Sequence, residues 1–403
     1  MMQDTPQILS NALQKYTSYV FGDYFNTALL IIFGAIFAVV VSFVPKRQKM
    51  NAILFAGVLF IFASSPPINI GIFFLTVSVL YSCSNYRFFM RRTVFWTAEI
   101  FLMLSTVIIY KIFGEFSAFF SFAAYYTAYR TIHYHVDVSQ NPSIKIKFIP
   151  YLRYLFFFPS FSHGPIERLE NFLIDDVNKE HIFFGIKRIL TGTLKFISIV
   201  YIFSKIPASD FSFGKFYMWL FFTAYAGAIK LYLLFSGDVD IVIGIASLMG
   251  VKLSENFPKF PYIQTSLTKF WQNWQSTVVS FLTAYVYFPL CRNRKRIYLK
   301  TMVIIMIIGW AHLFYNTKEF PTLAGVIYYT LWGIFLGGIF AFSKYFEKKK
   351  SDKRKILEAK YPRFASFFYS ESKAMSALSA FFTFTIIAVG WTSPLYLIIV
   401  HFI

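Results

Sequence analysis

The chain has 403 residues, 57% of them hydrophobic, 22% aromatic and only 14% charged. Soluble domains carry roughly a quarter charged residues, so this composition points away from a soluble globular protein and toward the bilayer. The excess of 39 Lys and Arg over 19 Asp and Glu is read as orienting cytoplasmic loops, with no nucleic acid implied.

Cys83 and Cys291 form neither a disulfide framework nor a metal-ligand spacing. They are read as small core or interfacial hydrophobes. The first sixteen residues are polar and mixed, so no cleavable signal peptide is expected.

A helix needs roughly 20 apolar residues to cross about 30 Å of hydrocarbon. Thr27 to Val44 is the first such run, stopped by Pro45 and the basic cluster Lys46, Arg47 and Lys49. Ala52 to Cys83 follows, broken by Ser64-Ser65-Pro66-Pro67 into two short halves whose outer ends both meet basic loops. A hairpin with both ends in the cytoplasm satisfies that pattern. Thr93 to Phe113 is a span containing Glu99, and Phe116 to Val136 is aromatic-rich. A polar connector, Ser139 to Lys147, leads to Phe156-Phe157-Phe158-Pro159-Ser160-Phe161-Ser162-His163-Gly164-Pro165. Two prolines and a glycine break any helix there. Irregular backbone at membrane depth must be buried in protein or line a cavity, so a re-entrant or broken segment is expected.

His181 to Ile206 and Phe216 to Phe235 read as spans, and Val239 to Gly250 as a separate, glycine-punctuated one. Leu267 to Leu290 reads as one helix between the bundle and an aqueous cavity, with Trp271 and Gln275 sharing a face at a spacing of four. Leu299 to Tyr315 and Leu323 to Phe342 form a hairpin, Lys344 to Lys360 is the most basic stretch, and Ser376 to Ile403 is the last span. The expected fold is all-α, a single polytopic membrane domain over residues 1–403 with roughly ten or eleven crossings around a central tunnel.

Arg292 to Lys300 and Lys344 to Lys355 both read as cytoplasmic, so the hairpin between them turns outside. His312 lies twelve residues beyond Lys300, about 18 Å up a helix and past the bilayer middle. An ionisable group there is costly and is a functional candidate by default. Gly309 one turn before would leave room for a substrate, and Asn316 one turn after would orient the ring. A structural histidine bonded to a carbonyl is the alternative. His133 and His135, two apart, point to different faces and make no metal site. His163 fits either a cavity-lining or a loop-capping role. Asp238 and Asp240 also split on a helix and are read as making structural hydrogen bonds or pairing with a buried cation such as Lys230. No phosphate loop, nucleophile elbow or metal signature is present.

Several of these motifs together resemble the membrane-bound O-acyltransferase family, in the bacterial branch that includes alginate O-acetyltransferases and teichoic-acid D-alanyl transferases. Tyr126-Thr127-Ala128-Tyr129-Arg130 with His133 to Asp137 looks like the family's early helix. Phe157-Phe158-Pro159 with Gly164-Pro165-Ile166-Glu167-Arg168 resembles its Pro-Gly-Pro segment. Its central block is matched by Phe235-Ser236-Gly237 with Asp240, Glu255-Asn256-Phe257, and Phe270-Trp271 with Trp274. The resemblance runs from Tyr125 to about Trp332 with a fainter echo at Gly390-Trp391.

The resemblance places a catalytic histidine at His312, after Trp310. It makes Gln275, Trp271, Trp274, Asn273, Asn316, His163, Arg168, Arg130 and Asn256 the substrate- or tunnel-lining candidates. Two departures stand out. Gln275 occupies the place where the family usually has a second histidine, and Leu313-Phe314-Tyr315-Asn316 lacks the usual glycine. The implied activity is transfer of a small acyl group, acetyl first, from a cytoplasmic thioester to a hydroxyl of an extracytoplasmic cell-surface polysaccharide. The thioester, acetyl-CoA or an acyl carrier protein, enters as co-substrate with no bound cofactor. The lipid bilayer, the polysaccharide and an extracytoplasmic acyltransferase are the implied partners, and the bacterial plasma membrane the implied location. D-alanyl transfer to teichoic acid is the alternative within the class. A non-catalytic transporter or flippase is the alternative outside it, and would bring inverted repeats.

Overall fold

A computed structural model describes residues 24–64, 67–83, 118–161, 164–172, 177–203, 213–293, 295–316, 323–361 and 373–391. Among these residues the regular structure is helical throughout. They fall into two compact units. One lies within Gln14–Ile206 and Leu233–Glu255, the other within Pro207–Tyr232 and Asn256–Ile403.

The first unit opens with α1 (Tyr24–Ser42), α2 (Lys46–Ser64) and α3 (Pro67–Cys83), the first two separated at Pro45. The residues between Ser64 and Pro67, where a break is expected, lie outside the described residues. The expected span Thr93 to Phe113 lies outside the described residues. Helix α4 (Ala118–Gln140) leads through a 3-10 turn, Pro142–Ile144, to the short α5 (Phe148–Leu155).

Next comes the segment expected to be broken, and it is broken. A 3-10 turn at Phe158–Ser160 and another at Leu169–Asn171 lie on either side of Gly164 to Arg168, which form no helix. Phe156, Phe157 and Phe158 are fully buried. The Phe158 ring meets Phe33 at 5.5 Å and Phe60 at 5.7 Å, and Phe156 stacks on Phe74 at 4.7 Å. Irregular backbone is thus held inside protein by aromatic anchors, as a low-dielectric setting demands.

Helices α6 (Lys179–Phe203) and α7 (Phe213–Leu248) follow. The separate spans expected at Phe216 to Phe235 and Val239 to Gly250 are instead one 36-residue helix. Gly237 and Gly244 do not break it, because they serve packing. A Cβ on Gly244 would lie 2.7 Å from the Gly185 carbonyl oxygen, and one on Gly192 would lie 2.5 Å from that of Gly237. Both glycine pairs are spaced by seven, so α6 and α7 meet backbone to backbone along a small-residue seam.

In the second unit, α7 is followed by a 3-10 turn at Pro261–Ile263, then α8 (Leu267–Asn273) and α9 (Ser276–Leu282). A π-helical turn, Thr283–Tyr287, joins α9 to the four-residue α10 (Phe288–Cys291). Helices α11 (Ile297–Asn316) and α12 (Leu323–Lys360) pack along each other. A Cβ on Gly333 would lie 2.5 Å from Met306 Cα, and one on Gly337 2.9 Å from Met302 Cα. The span expected to end at Phe342 continues without interruption through the basic stretch to Lys360. Helix α13 (Lys373–Trp391) completes the unit.

Among the described residues three helical stretches are long and apolar enough to cross a membrane, namely Ala224–Leu248, Gly325–Ile356 and Ala374–Trp391. Ile32–Val41, Ser276–Cys291 and Ile297–Trp310 are shorter apolar helical stretches among the described residues.

Candidate active site

Asn256, Trp274 and Gln275 of the second unit meet at a corner that sequence reasoning missed. Leu267 to Leu290 is not one helix. After Asn273 the chain turns extended at Trp274 (φ −110°, ψ 115°) and left-handed at Gln275 (φ 45°, ψ 51°) before α9 begins. Left-handed backbone costs a non-glycine residue about 1–2 kcal/mol, so something must hold it. Asn256, fully buried, does so. Its Nδ2 donates to Gln275 Oε1 at 2.7 Å, and its Oδ1 accepts from the Thr277 hydroxyl at 2.5 Å and the Thr277 amide at 3.3 Å. The Asn256 carbonyl accepts from the Ser276 amide at 2.9 Å. Trp271 and Gln275 therefore do not share a helical face, since the helix that would align them ends between them.

Gln275 is half-buried, and the bond to Asn256 is the one hydrogen bond its side chain makes among the described residues. Its oxygen is occupied, so its Nε2 is the group left to donate.

Trp274, on the other side of the corner, is buried in an aromatic cluster. Its ring lies 4.3 Å from Trp391, 5.3 Å from Phe257 and 5.8 Å from Phe270, on which it stacks. Trp271 joins at the edge, 5.3 Å from Phe270 and 6.3 Å from Trp391. Tyr262 closes the cluster, 4.4 Å from Phe384, and its hydroxyl donates to the Ala228 carbonyl at 2.5 Å. Burial pushes the Tyr262 phenol well above its ordinary range, with Tyr232 adding to the effect. It stays a neutral donor.

The same cluster reaches the helix that carries His312. Trp391 follows Gly390, whose carbonyl accepts from Trp332 Nε1 at 2.8 Å. The Trp332 ring sits over Gly309, where an added Cβ would be 2.9 Å from Cε3. Trp310 Nε1 donates to Thr330 Oγ1 at 3.0 Å. Gly309 therefore makes room for Trp332, not for a substrate as expected. His312 stands one turn on in α11 and Asn316 at its end. Their side chains, and His163 altogether, lie outside the described residues. Asn273 is used locally, its Nδ2 donating to the Lys269 carbonyl at 2.9 Å.

Arg130 and Arg168 belong to the first unit. Arg130 is 1% exposed, and its Nη1 donates to the Tyr154 and Leu155 carbonyls at 3.3 and 3.2 Å. It caps α5 with positive charge at the negative end of the helix. Its Nη2 donates to Ser160 in the broken segment. Arg168 pairs with Asp137 at 3.3 Å. Asp137 is held above the usual carboxylate range because burial outweighs Arg168, with Glu170 adding to the rise.

Sequence reasoning missed the partners of a further charged group. Asp240, 4% exposed, takes Arg188 Nη2 at 2.8 Å and Lys195 Nζ at 2.5 Å, while Arg188 Nη1 reaches Glu255 at 2.8 Å. The cation pairing expected of this aspartate is present, made by two cations of α6 in place of Lys230. The signal was present in the sequence. Arg188 and Lys195 each lie three residues after a seam glycine of α6, and Asp240 three after Gly237 of α7.

Comparison with characterised proteins supports a common origin for these elements. The chain is 29% identical over 175 residues to a peptidoglycan O-acetyltransferase of Helicobacter pylori, covering 40% of this chain and 33% of that protein. It is 28% identical over 193 residues to a probable alginate O-acetylase, AlgI, of Pseudomonas putida, covering 45% and 39%. It is also 28% identical over 211 residues to a teichoic acid D-alanyltransferase of Bacillus subtilis, covering 49% and 52%. The matched region thus spans a third to about half of these relatives' own lengths. The family model for membrane-bound O-acyltransferases covers residues 70–315, from α3 to the end of α11, taking in the broken segment, the α6–α7 seam and the Gln275 corner. With more than half of its length matched, the chain belongs to the membrane-bound O-acyltransferase family.

Proposed function

We propose that the chain is a plasma-membrane O-acyltransferase that moves a small acyl group, acetyl first, from a cytoplasmic thioester to a hydroxyl of an extracytoplasmic polysaccharide. The observation that carries this reading is the Gln275 corner, clamped by buried Asn256 and joined through Trp274, Trp391, Gly390 and Trp332 to the helix of His312. A strained backbone position held by a buried amide is a feature of functional sites.

In the chemistry proposed, His312 takes the proton of the acceptor hydroxyl as its oxygen attacks the thioester carbonyl. The carbon–sulfur bond then breaks, His312 returns the proton to the departing sulfur, and the thiol leaves on the cytoplasmic side. Gln275 cannot take a proton at neutral pH. Its Nε2 donates instead to the carbonyl oxygen as charge develops there. Asn256 is a positioning residue for that amide. Acetyl-CoA or an acylated carrier protein is the proposed donor, and a second, extracytoplasmic acyltransferase is the proposed partner for final delivery.

D-alanyl transfer is the second reading. It is favoured by the Bacillus subtilis relative, whose match covers about half of both chains, and by the Ser162-His163-Gly164-Pro165-Ile166-Glu167-Arg168 pattern. Purified protein in proteoliposomes, given radiolabelled acetyl-CoA, acetylated carrier protein or D-alanylated carrier protein, separates the readings. Label should move from an acetyl donor to a hydroxyl acceptor. Transfer from the D-alanyl donor alone would replace the first reading with the second, and no transfer from any donor would reject both.

A further inference from the structure

Trp332 of α12 makes a fixed contact to each of two neighbouring helices of its own unit. Toward α11 its six-membered ring sits over Gly309, where an added Cβ would lie 2.9 Å from Cε3 and 3.1 Å from Cζ3. Toward α13 its Nε1 donates to the Gly390 carbonyl at 2.8 Å. His312 follows Gly309 by three residues, so the two positions share a face of α11 one turn apart. The indole therefore meets α11 one turn before the proposed base.

Both contacts have firm surroundings. On α12, Thr330 accepts from Trp310 Nε1 at 3.0 Å, and a Cβ on Gly333 would lie 2.5 Å from Met306 Cα. These contacts hold α11 and α12 in one register. On the side of α13, a Cβ on Gly390 would lie 2.5 Å from Leu336 Cδ2, and Leu336 stands one turn after Trp332. The Thr385 and Tyr225 hydroxyls share a hydrogen bond of 2.6 Å, and Tyr225 packs on Phe384 at 4.9 Å. Trp391 lies 4.3 Å from Trp274, the residue before Gln275. The Gly390 carbonyl is thus an anchor tied to the Gln275 corner.

An aromatic side chain between helices ordinarily fills space, and Phe or Leu would serve. Trp332 differs in two respects. Its N–H makes a directional bond to a neighbouring helix, which sets the angle of the ring as well as its place. The ring then rests on a glycine, so its position is passed to the α11 backbone with no flexible side chain between. Misplacing a reacting group by about 1 Å can cost about 10²-fold in rate.

We propose that Trp332 is a positioning residue for His312, anchoring the helix of the base to the Gly390 carbonyl of α13. Helix α13, beyond the residues 70–315 of the family match, is then a working part of the site. The proposal rests on the reading of His312 as general base. The test is a double-mutant cycle on full-length protein in proteoliposomes, with whichever of the three labelled donors above the wild type accepts. Turnover is expressed per folded molecule. Trp332→Phe keeps an aromatic ring and removes the N–H. It should lower kcat about 10- to 100-fold and leave the donor KM unchanged. Placed in His312→Ala, it should lower the residual rate no further, because the two residues act as a unit. Product label collected over hours keeps that residual rate, down by about 10² to 10⁴, within reach. Gly309→Ala presses on the same ring from α11. It should repeat the pattern, and it decides the matter if Trp332→Phe folds poorly. Full turnover in both variants, a raised KM with kcat kept, or an equal fold-loss in the wild-type and His312→Ala backgrounds would overturn the proposal and leave the base assignment standing. His312→Ala turning over at the wild-type rate, or a wild type that transfers from none of the donors, would instead reject the reading beneath it, and the proposal with it.

Discussion

Asn256 donates from Nδ2 to Gln275 Oε1 at 2.7 Å while its other side-chain atom takes both groups of Thr277, so one buried amide fixes a left-handed corner from both sides. Replacing Asn256 by Ala would leave the Thr277 amide and hydroxyl and the Gln275 oxygen without their partner, at a cost of about 1–3 kcal/mol. We expect a lower melting temperature and a fall in turnover per folded molecule. Asp at the same position keeps the acceptor for Thr277 but loses the donor to Gln275. Asn256→Asp should therefore recover stability more than activity. Equal recovery of both would make Asn256 a purely structural residue.

Gln275 separates strain from chemistry. Glycine there relieves the left-handed cost of about 1–2 kcal/mol, offset in part by its added freedom in the unfolded chain. Gln275→Gly also leaves the buried Asn256 Nδ2 without its acceptor, at about 1–3 kcal/mol, so it should be modestly less stable, yet lose about 10² to 10³ in rate if Nε2 stabilises the developing oxyanion. Turnover per folded molecule, measured beside thermal unfolding, decides. A stable and fully active glycine variant would remove Gln275 from the reaction.

The α6–α7 seam tests whether the charged group is structural. Gly192→Leu pushes a side chain against the Gly237 carbonyl and Ile241, and overpacking of this kind costs about 1–3 kcal/mol. Asp240→Asn leaves two cations facing a neutral amide, and breaking a buried pair costs about 3–5 kcal/mol. Both variants should unfold at lower temperature in detergent. A wild-type melting curve for Asp240→Asn would show that the triad adds nothing to stability.

How much of this the sequence disclosed depended on whether the decisive interaction was local. Pro45 and Pro159 act on their own neighbours, so the stop after α1 and the break in the aromatic segment were legible. Trp274 and Gln275 carry no proline or glycine, and their spacing reads as helix. The corner exists because Asn256, 19 residues upstream, offers the backbone a better set of partners, a tertiary override of local propensity. Gly237 and Gly244 misled in the opposite sense. They look like helix breakers, but α6 comes close enough to make a small residue necessary at each. Gly309 followed the same logic, its space being filled by Trp332 from a neighbouring helix.

Orientation follows from charge. Lys348→Cys on the extension of α12 should resist an impermeant thiol reagent in intact cells, and Asn316→Cys at the end of α11 should react with it, in a background lacking Cys83 and Cys291. Labelling of Lys348→Cys from outside would invert the chain in the membrane and detach His312 from the outer half of the bilayer.

The most direct measurement is acyl transfer by purified protein carrying His312→Ala, in proteoliposomes, with turnover expressed per folded molecule and the wild type alongside. Loss of a general base lowers the rate by about 10² to 10⁴. The account predicts a loss in that range with the melting temperature held near that of the wild type. A well-folded alanine variant that turns over at the wild-type rate would contradict it.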